Sequence, residues 1–101
     1  MTEREALCIA RKLISNRLHW CKHDFHTTNM FGMHQYCAVG ALRQVGGGDY
    51  GRHFLEQAAY QMYGKPVLSV NDELGHRAML KVYDHAIELA CAREEKQNES
   101  Q

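Results

Sequence analysis

Apolar side chains recur at intervals of three and four residues in four separate segments of the chain, and this periodicity constrains the fold more than any other feature. The first segment follows Thr2-x-x-Glu5, a sequence typical of a capping box at the start of a helix. Its stripe consists of Leu7, Ala10, Ile14 and Leu18. The pattern predicts an amphipathic helix from about Thr2 to about His19.

Two shorter helices are predicted in the middle of the chain. The first covers residues 36–45 and ends at the glycines 46–48, and the second has Asp49 as N-cap and Gly64 as C-terminal stop. Their stripes are Ala38, Ala41, Leu42 and Val45, and Leu55, Ala58, Ala59 and Met62. Gly40 costs up to about 1 kcal/mol of helix propensity, which predicts that another backbone packs closely against it.

The last predicted helix follows a short connector at residues 67–70, which we interpret as extended. Asn71 or Ser69 is its expected N-cap, and it ends near Arg93. Its stripe is Met79, Val82, Ala86, Leu89 and Ala90. Residues 94–101 are polar and are expected to form a frayed tail.

These segments together predict a mainly α fold, a compact bundle of about four helices with a long structured loop or small hairpin between helices 1 and 2. The chain of 101 residues, 45% of them apolar, suffices for one core, so a single helical domain over residues 1–93 is expected. A chain this short can also complete its core as a homodimer. The residues expected to be buried are Leu13, Leu42, Leu55, Val82 and Ala86.

The charge pattern excludes some classes of function. Twelve basic and twelve acidic residues balance, whereas a duplex-DNA binder usually concentrates basic residues on one face. The charged residues 1–5 do not resemble a signal peptide, and no apolar run could cross a membrane. We therefore expect a cytoplasmic protein, with its four cysteines as free thiols.

Residues 20–35 show neither the helical nor the strand period and are predicted to be a structured loop, with a short hairpin turning near Asn29 to Gly32. Long loops of this kind often carry function. Zinc prefers the donor types concentrated here. The candidate ligands are Cys21, His23, His26, His34 and Cys37. Their spacing matches no standard zinc finger, so our first expectation is no cofactor and the alternative is a zinc-binding module or metal-dependent hydrolase.

A second enzymatic alternative is a cysteine hydrolase. Cys37 stands at the start of a predicted helix, where unpaired backbone N–H groups lower the pKa of a thiol. Of the histidines that follow it, His53 is one candidate base, and Asn71 is a candidate orienting group. Cysteine, histidine and asparagine in this order are weak evidence, since no sheet is predicted that would carry the base.

Several segments of the chain resemble an uncharacterised family of small proteins from bacteriophages and actinobacteria. The similarity lies in Trp20, in residues 36–42 with their C-x-x-G-A-L sequence, in residues 70–72 and in residues 84–87. The family has a W-N-D sequence where this chain has Val70, Asn71 and Asp72. The resemblance implies a bacterial or phage setting and structural roles for residues 37–42 and 71–72, as a packed helix and a helix cap.

No motif in the sequence requires catalysis, so the sequence favours a small non-enzymatic binding module. By analogy with small phage proteins, we expect an accessory or anti-defence factor that captures a host protein or a small ligand. The residues expected to contact the partner or ligand are Trp20, Lys22, His23, His26, His34, Tyr36, Asn71 and Asp72.

Overall fold

Five α-helices and one β-hairpin form within residues 1–46 and 50–99, the part of the chain that the computed structural model describes, with side chains to Gln97. The helices are α1 Glu3–Leu13, α2 Ala38–Gly46, α3 Arg52–Tyr63, α4 Val67–Ser69 and α5 His76–Glu99, and the strands are β1 His26–Thr28 and β2 His34–Tyr36. Helix makes up 69% of the structure, which confirms the prediction of a mainly α fold.

The first helix starts as predicted and ends earlier. Thr2 Oγ1 accepts a hydrogen bond from Glu5 N, and Glu5 Oε1 accepts one from Thr2 N, so the capping box is present. The prediction that the helix continues beyond Leu13 is wrong. The Asn16 side chain accepts a hydrogen bond from Leu18 N and starts a separate 3-10 turn, which leaves Leu18 exposed.

The predicted hairpin is present between helices 1 and 2. Strands β1 and β2 are antiparallel, with His26 opposite Tyr36. The Asn29 side chain accepts hydrogen bonds from Phe31 N and Met33 N, so one residue organises the turn. The turn therefore lies where the sequence predicted it.

Helix α2 contains the predicted close backbone approach. A Cβ atom on residue 40 would lie 1.7 Å from the carbonyl oxygen of Phe25. Only glycine permits this contact, because a Cβ there would overlap an atom of the backbone. Gly40 therefore lowers the helix propensity of α2, but it allows the backbone at Phe25 to pack closely against this helix.

Helix α3 is preceded by Gly51 and ends at Gly64. Gly64 has φ 66° and its N–H donates to Tyr60 O at 3.0 Å, which confirms the predicted stop. Asp49, the predicted N-cap, lies outside the described residues.

The extended connector predicted at residues 67–70 is wrong. Helix α4 covers it and continues into a π-type turn over Val70–Leu74, closed by a 3.2 Å hydrogen bond from Gly75 N to Val70 O. Val67 and Val70 are both fully buried, at the helical spacing of three residues. The predicted N-caps Ser69 and Asn71 therefore lie inside a helical segment, because α5 begins only at His76.

The core lies where α1 packs against α2 and α5, and α3 packs against α5. The predicted buried residues Leu42, Leu55, Val82 and Ala86 have no exposed surface. Leu13 is only half-buried, because the adjacent Ile14 takes the core position. Helix α5 is continuous to Glu99, and none of the described helices has the length and hydrophobicity that crossing a bilayer requires.

Candidate functional site

The side chain of Asn71 joins three parts of the fold. It has no exposed surface, and its Oδ1 accepts hydrogen bonds from Trp20 Nε1 at 2.8 Å and from Ala38 N at 3.1 Å. Ala38 is the first residue of α2, so Asn71 caps that helix from a distant segment. The expected capping role is therefore real, but it serves α2 rather than the last helix.

The amide nitrogen of Asn71 is also fully used. Its Nδ2 donates to Cys21 O at 3.1 Å and to Asp72 Oδ1 at 2.9 Å. A buried amide with both its oxygen and its nitrogen hydrogen-bonded has one orientation. Flipping it would place the amide nitrogen against donors and the amide oxygen against acceptors. Asn71 thus fixes the position of the neighbouring carboxylate.

Asp72 is held on two sides. Its Oδ1 also accepts a hydrogen bond from His23 N at 2.9 Å, and its Oδ2 lies 3.5 Å from His23 Nδ1. Burial acts to raise the pKa of the Asp72 carboxyl, but the hydrogen bonds from His23 and Asn71 and the charges of His23 and Lys22 outweigh it. The pKa therefore lies below its ordinary value of 3.8, and the group is a carboxylate at neutral pH.

His23 adopts a backbone conformation that favours this contact. Its φ is 67°, in the left-handed region that residues other than glycine rarely occupy. The conformation points the His23 N–H at Asp72, which compensates part of its cost. The His23 side chain itself is largely exposed.

A cavity of about 250 Å³ opens beside this carboxylate, between the start of the hairpin and the α4 segment. Its lining residues are His23, Asp24, Phe25, Cys37, Leu68 and Asp72. Phe25, Leu68 and Cys37 give it an apolar wall, and Asp72 and Asp24 give it an acidic one. Concave sites with apolar walls and a few fixed polar groups are the usual form of ligand sites.

Cys37 forms part of the apolar wall and does not have the properties of a nucleophile. Its side chain is 2% exposed, and burial raises the pKa of its thiol above the ordinary value of 9.0. The Sγ accepts a 3.4 Å hydrogen bond from Gly40 N, which offsets only part of this effect. The thiol is therefore protonated at neutral pH.

The structure does not bring the three residues of the hydrolase hypothesis together. The His53 ring is hydrogen-bonded to the carboxylate of Glu3 and contacts Phe54. Asn71 approaches α2 through Ala38 N and not through the Cys37 thiol. Within the described part of the chain, Cys37 therefore has neither a base nor an orienting group among its hydrogen-bond partners.

The structure does not gather the five candidate zinc ligands at one point. His26 and His34 meet on one face of the hairpin, with His26 Nε2 and His34 Nδ1 2.8 Å apart. His23 contacts Asp72, and the Cys21 thiol donates to Asp24 O at 3.3 Å. Within residues 1–46 and 50–99, no group of three or more acidic, histidine or cysteine side chains is arranged to hold a metal ion.

The other residues predicted to contact a partner are not among the lining residues of the cavity. Trp20 is almost fully buried, and Lys22 Nζ lies 5.9 Å from the centroid of its ring. The Tyr36 ring stacks on His26, with centroids 4.9 Å apart. Trp20 and Asn71 support the site from inside, whereas His23 and Asp72 line the cavity.

Sequence reasoning missed three residues that line the cavity: Asp24, Phe25 and Leu68. It also missed Met30 and Phe31, which are 89% and 80% exposed at the tip of the hairpin. Met30 and Phe31 could have been recognised in the sequence, because turns usually carry polar residues and these are two large apolar residues inside a predicted turn. No comparable signal exists for Leu68, because a short apolar run is equally typical of an extended connector and of a buried helical turn.

A larger cavity of about 450 Å³ shares no residue with this one and involves α1, α3 and α5. In it Arg4 Nε pairs with Glu94 Oε2 at 2.9 Å and Glu3 pairs with His53, while the Arg93 guanidinium lies 6.0 Å from the centroid of the Phe54 ring. Glu94 Oε1 is buried and accepts no hydrogen bond from the described residues. The smaller cavity combines an apolar wall with the Asp72 carboxylate, which forms no close ion pair with a lysine or arginine within the described part of the chain. We therefore take the smaller cavity as the candidate site.

Comparison with known protein families assigns the chain to one of them. The profile of DUF6197, a family of unknown function, matches residues 1–89, and the chain belongs to this family. Neither curated proteins nor solved structures gave a match. The geometry of the site is therefore the basis for a functional proposal.

Proposed function

We propose that the protein is a non-enzymatic binding module and that the cavity beside Asp72 receives a group of its ligand. The observation that carries the proposal is the Asp72 carboxylate, which Asn71 Nδ2 and His23 N hold at the edge of an apolar cavity. A polar group that is positioned before the ligand arrives reduces the ordering cost of binding. The volume of about 250 Å³ suits a small molecule or one side chain of a protein partner.

Exposed apolar groups near this site support a partner larger than a metabolite. The hairpin that begins beside the cavity ends in Met30 and Phe31, and the Asn29 side chain holds their turn by accepting from Phe31 N and Met33 N. Apolar side chains displayed on a well-organised turn are typical anchors of protein interfaces. A host protein that covers both the cavity and the hairpin tip is consistent with the arrangement.

Two enzymatic alternatives have less support. A cysteine hydrolase needs an ionisable thiol next to a base, whereas the pKa of the Cys37 thiol is raised and no described histidine is hydrogen-bonded to it. A zinc-dependent function needs three or four gathered ligands, and the described candidates are gathered only as the His26–His34 pair. Neither alternative uses Asp72, Phe25 or Leu68.

The biological setting is part of the proposal and rests on the sequence resemblance alone. We propose an accessory or anti-defence factor, encoded by a phage or a bacterium, that acts in the cytoplasm of a bacterial host cell. A bundle of helices completed by a second copy of the chain is compatible with this role. No cofactor is needed for it.

Mapping of small probes by NMR tests the proposal. Three probes with the same four-carbon chain are titrated separately: n-butylammonium, 1-butanol and butyrate. At least one should shift the backbone amide resonances of residues 23–25 in the native protein. The variant Leu68→Phe, which fills the cavity, should lose this response.

The control is Leu74→Phe, which enlarges an exposed leucine of the same helical segment that does not line the cavity. It should respond as the native protein does. If no probe shifts the resonances around the cavity, or if Leu68→Phe keeps the response, the cavity is not a ligand site and the proposal is wrong.

A further inference from the structure

We infer that the group received by the cavity is an alkylammonium, a positively charged amine on an aliphatic stem. The inference rests on the proposed binding function and specifies its ligand. It follows from the charge of the lining residues, from the unused acceptor on Asp72 and from the apolar wall opposite it.

The charge of the cavity is negative. Asp24 and Asp72 both line it, and within the described residues neither carboxylate lies within ion-pair distance of a lysine or arginine nitrogen. Lys22 places its Nζ over the Trp20 ring, and its charge contributes to the low pKa of Asp72 without forming an ion pair. An anionic ligand group would meet two like charges, so the site selects against carboxylates and phosphates.

Asp72 retains an acceptor for the ligand. Its Oδ1 is occupied by the Asn71 and His23 nitrogens, whereas among the described residues its Oδ2 makes only the 3.5 Å contact with the His23 ring. A neutral apolar ligand would cover this oxygen without giving it a hydrogen bond, which is costly for a carboxylate. An ammonium donates a charge-assisted hydrogen bond to it.

The opposite wall accepts the stem of the ligand. Phe25, Leu68 and Cys37 offer ring, isobutyl and protonated thiol groups, all suited to methylene groups. The Arg43 guanidinium lies 4.4 Å from the centroid of the Phe25 ring, so the cation–π interaction of this ring is made with Arg43 and the ring offers the ligand apolar contact. A divalent metal ion would use none of this wall, and the described residues provide no three-ligand set for one.

The same chemistry has two natural sources, a free alkylamine and the side chain of a lysine in a partner protein. Both present an ammonium on a short chain of methylene groups, and n-butylammonium reproduces this chain. A blocked lysine, Nα-acetyl-lysine N-methylamide, carries in addition the backbone groups of a protein. If the blocked lysine binds as n-butylammonium does, the source is a protein side chain, and if only n-butylammonium binds, it is a free amine.

Isothermal titration calorimetry with the three four-carbon probes tests the inference on the intact protein. We expect n-butylammonium to bind at least about 10-fold more tightly than 1-butanol or butyrate. Of the three probes only n-butylammonium is a cationic donor, and a charge-assisted hydrogen bond to Asp72 accounts for a difference of this size. Asp72→Asn keeps the size and the Oδ1 acceptor and should remove most of this preference. Tighter binding of butyrate, or an unchanged preference in Asp72→Asn, would overturn the inference.

The matched control is Glu73→Gln, which removes the same charge from the next residue. Glu73 is exposed, pairs with Lys65 and does not line the cavity, so its effect on n-butylammonium binding should stay below about twofold. A loss equal to that of Asp72→Asn would mean a general effect of charge and would contradict a specific contact.

A second variant covers the case in which Asp72→Asn fails to fold. Asp24→Asn removes the other lining charge, and the Asp24 carboxylate is exposed. It should weaken n-butylammonium binding about 2-fold to 5-fold, because a more exposed charge interacts more weakly.

If 1-butanol or butyrate binds in the cavity and n-butylammonium does not, the inference fails while the proposed binding function stands.

Discussion

The indole Nε1 of Trp20 lies 2.8 Å from Oδ1 of Asn71, and the two residues are 51 positions apart in the chain. This hydrogen bond connects the segment before the hairpin to the turn after α4. The same oxygen accepts from Ala38 N at the start of α2. One side chain therefore holds together the three segments that surround the cavity.

Asn71→Ala should destabilise the protein by about 2–6 kcal/mol, because two buried donors on Trp20 and Ala38 lose their acceptor. Urea denaturation measures the loss. The control Asn16→Ala removes an exposed cap, which should cost about 1 kcal/mol. Equal losses in the two variants would mean that the Asn71 network does not organise the fold.

Gly40→Ala should also lower the free energy of unfolding, by about 1–3 kcal/mol, because the new methyl group would overlap Phe25 O. Helix propensity alone predicts the opposite sign, a gain of up to about 1 kcal/mol. Urea denaturation distinguishes the two, and NMR should show displaced amide resonances near Phe25. A stabilised variant with an unchanged spectrum would contradict the close approach.

Much of the fold was predictable because it depends on local periodicity. The start of α1, the turn at Asn29 and the end of α3 at Gly64 were predictable, because capping and turn residues act on positions only a few residues away. The close contact at Gly40 was predictable as an event, because an interior helical glycine needs a reason, but its partner Phe25 was not.

The site was predictable only in part. Three of its residues, His23, Cys37 and Asp72, are candidate site residues in the sequence, although Cys37 is a candidate nucleophile and zinc ligand rather than part of an apolar wall. Leu68 is not, because a short apolar run does not distinguish a strand from a buried helical turn. The role of Asn71 as the cap of α2 could not be foreseen, since the cap and the helix meet only in the folded chain.

Alkylation tests the state of the cysteines. Burial raises the pKa of the Cys37 thiol, and burial with the neighbouring Cys37 and Asp24 raises that of Cys21 to about 11. Both thiols should react with iodoacetamide more slowly in the folded protein than in denaturant, where they are ordinary cysteines. Peptide mass spectrometry gives the rate at each position. Faster reaction of Cys37 in the folded protein would instead favour a nucleophilic role.

The pH dependence of stability should reveal the Asp72 carboxylate. Its folded-state pKa lies below its ordinary value, so its contribution to stability is present above that value and is lost as the pH falls through the folded-state pKa. The free energy of unfolding should therefore decrease more steeply on acidification in the native protein than in Asp72→Asn. Parallel pH profiles for the two proteins would show that Asp72 is not stabilised in the fold.

The central claim is that Asp72 and the apolar wall together form a site for an alkylammonium. A crystal structure of the protein with n-butylammonium chloride tests it most directly. The ammonium nitrogen should lie about 2.8 Å from Asp72 Oδ2, with the butyl chain against Phe25 and Leu68. An ammonium found only elsewhere, such as at Glu3 or Glu94 in the larger cavity, with none beside Asp72, would contradict the claim.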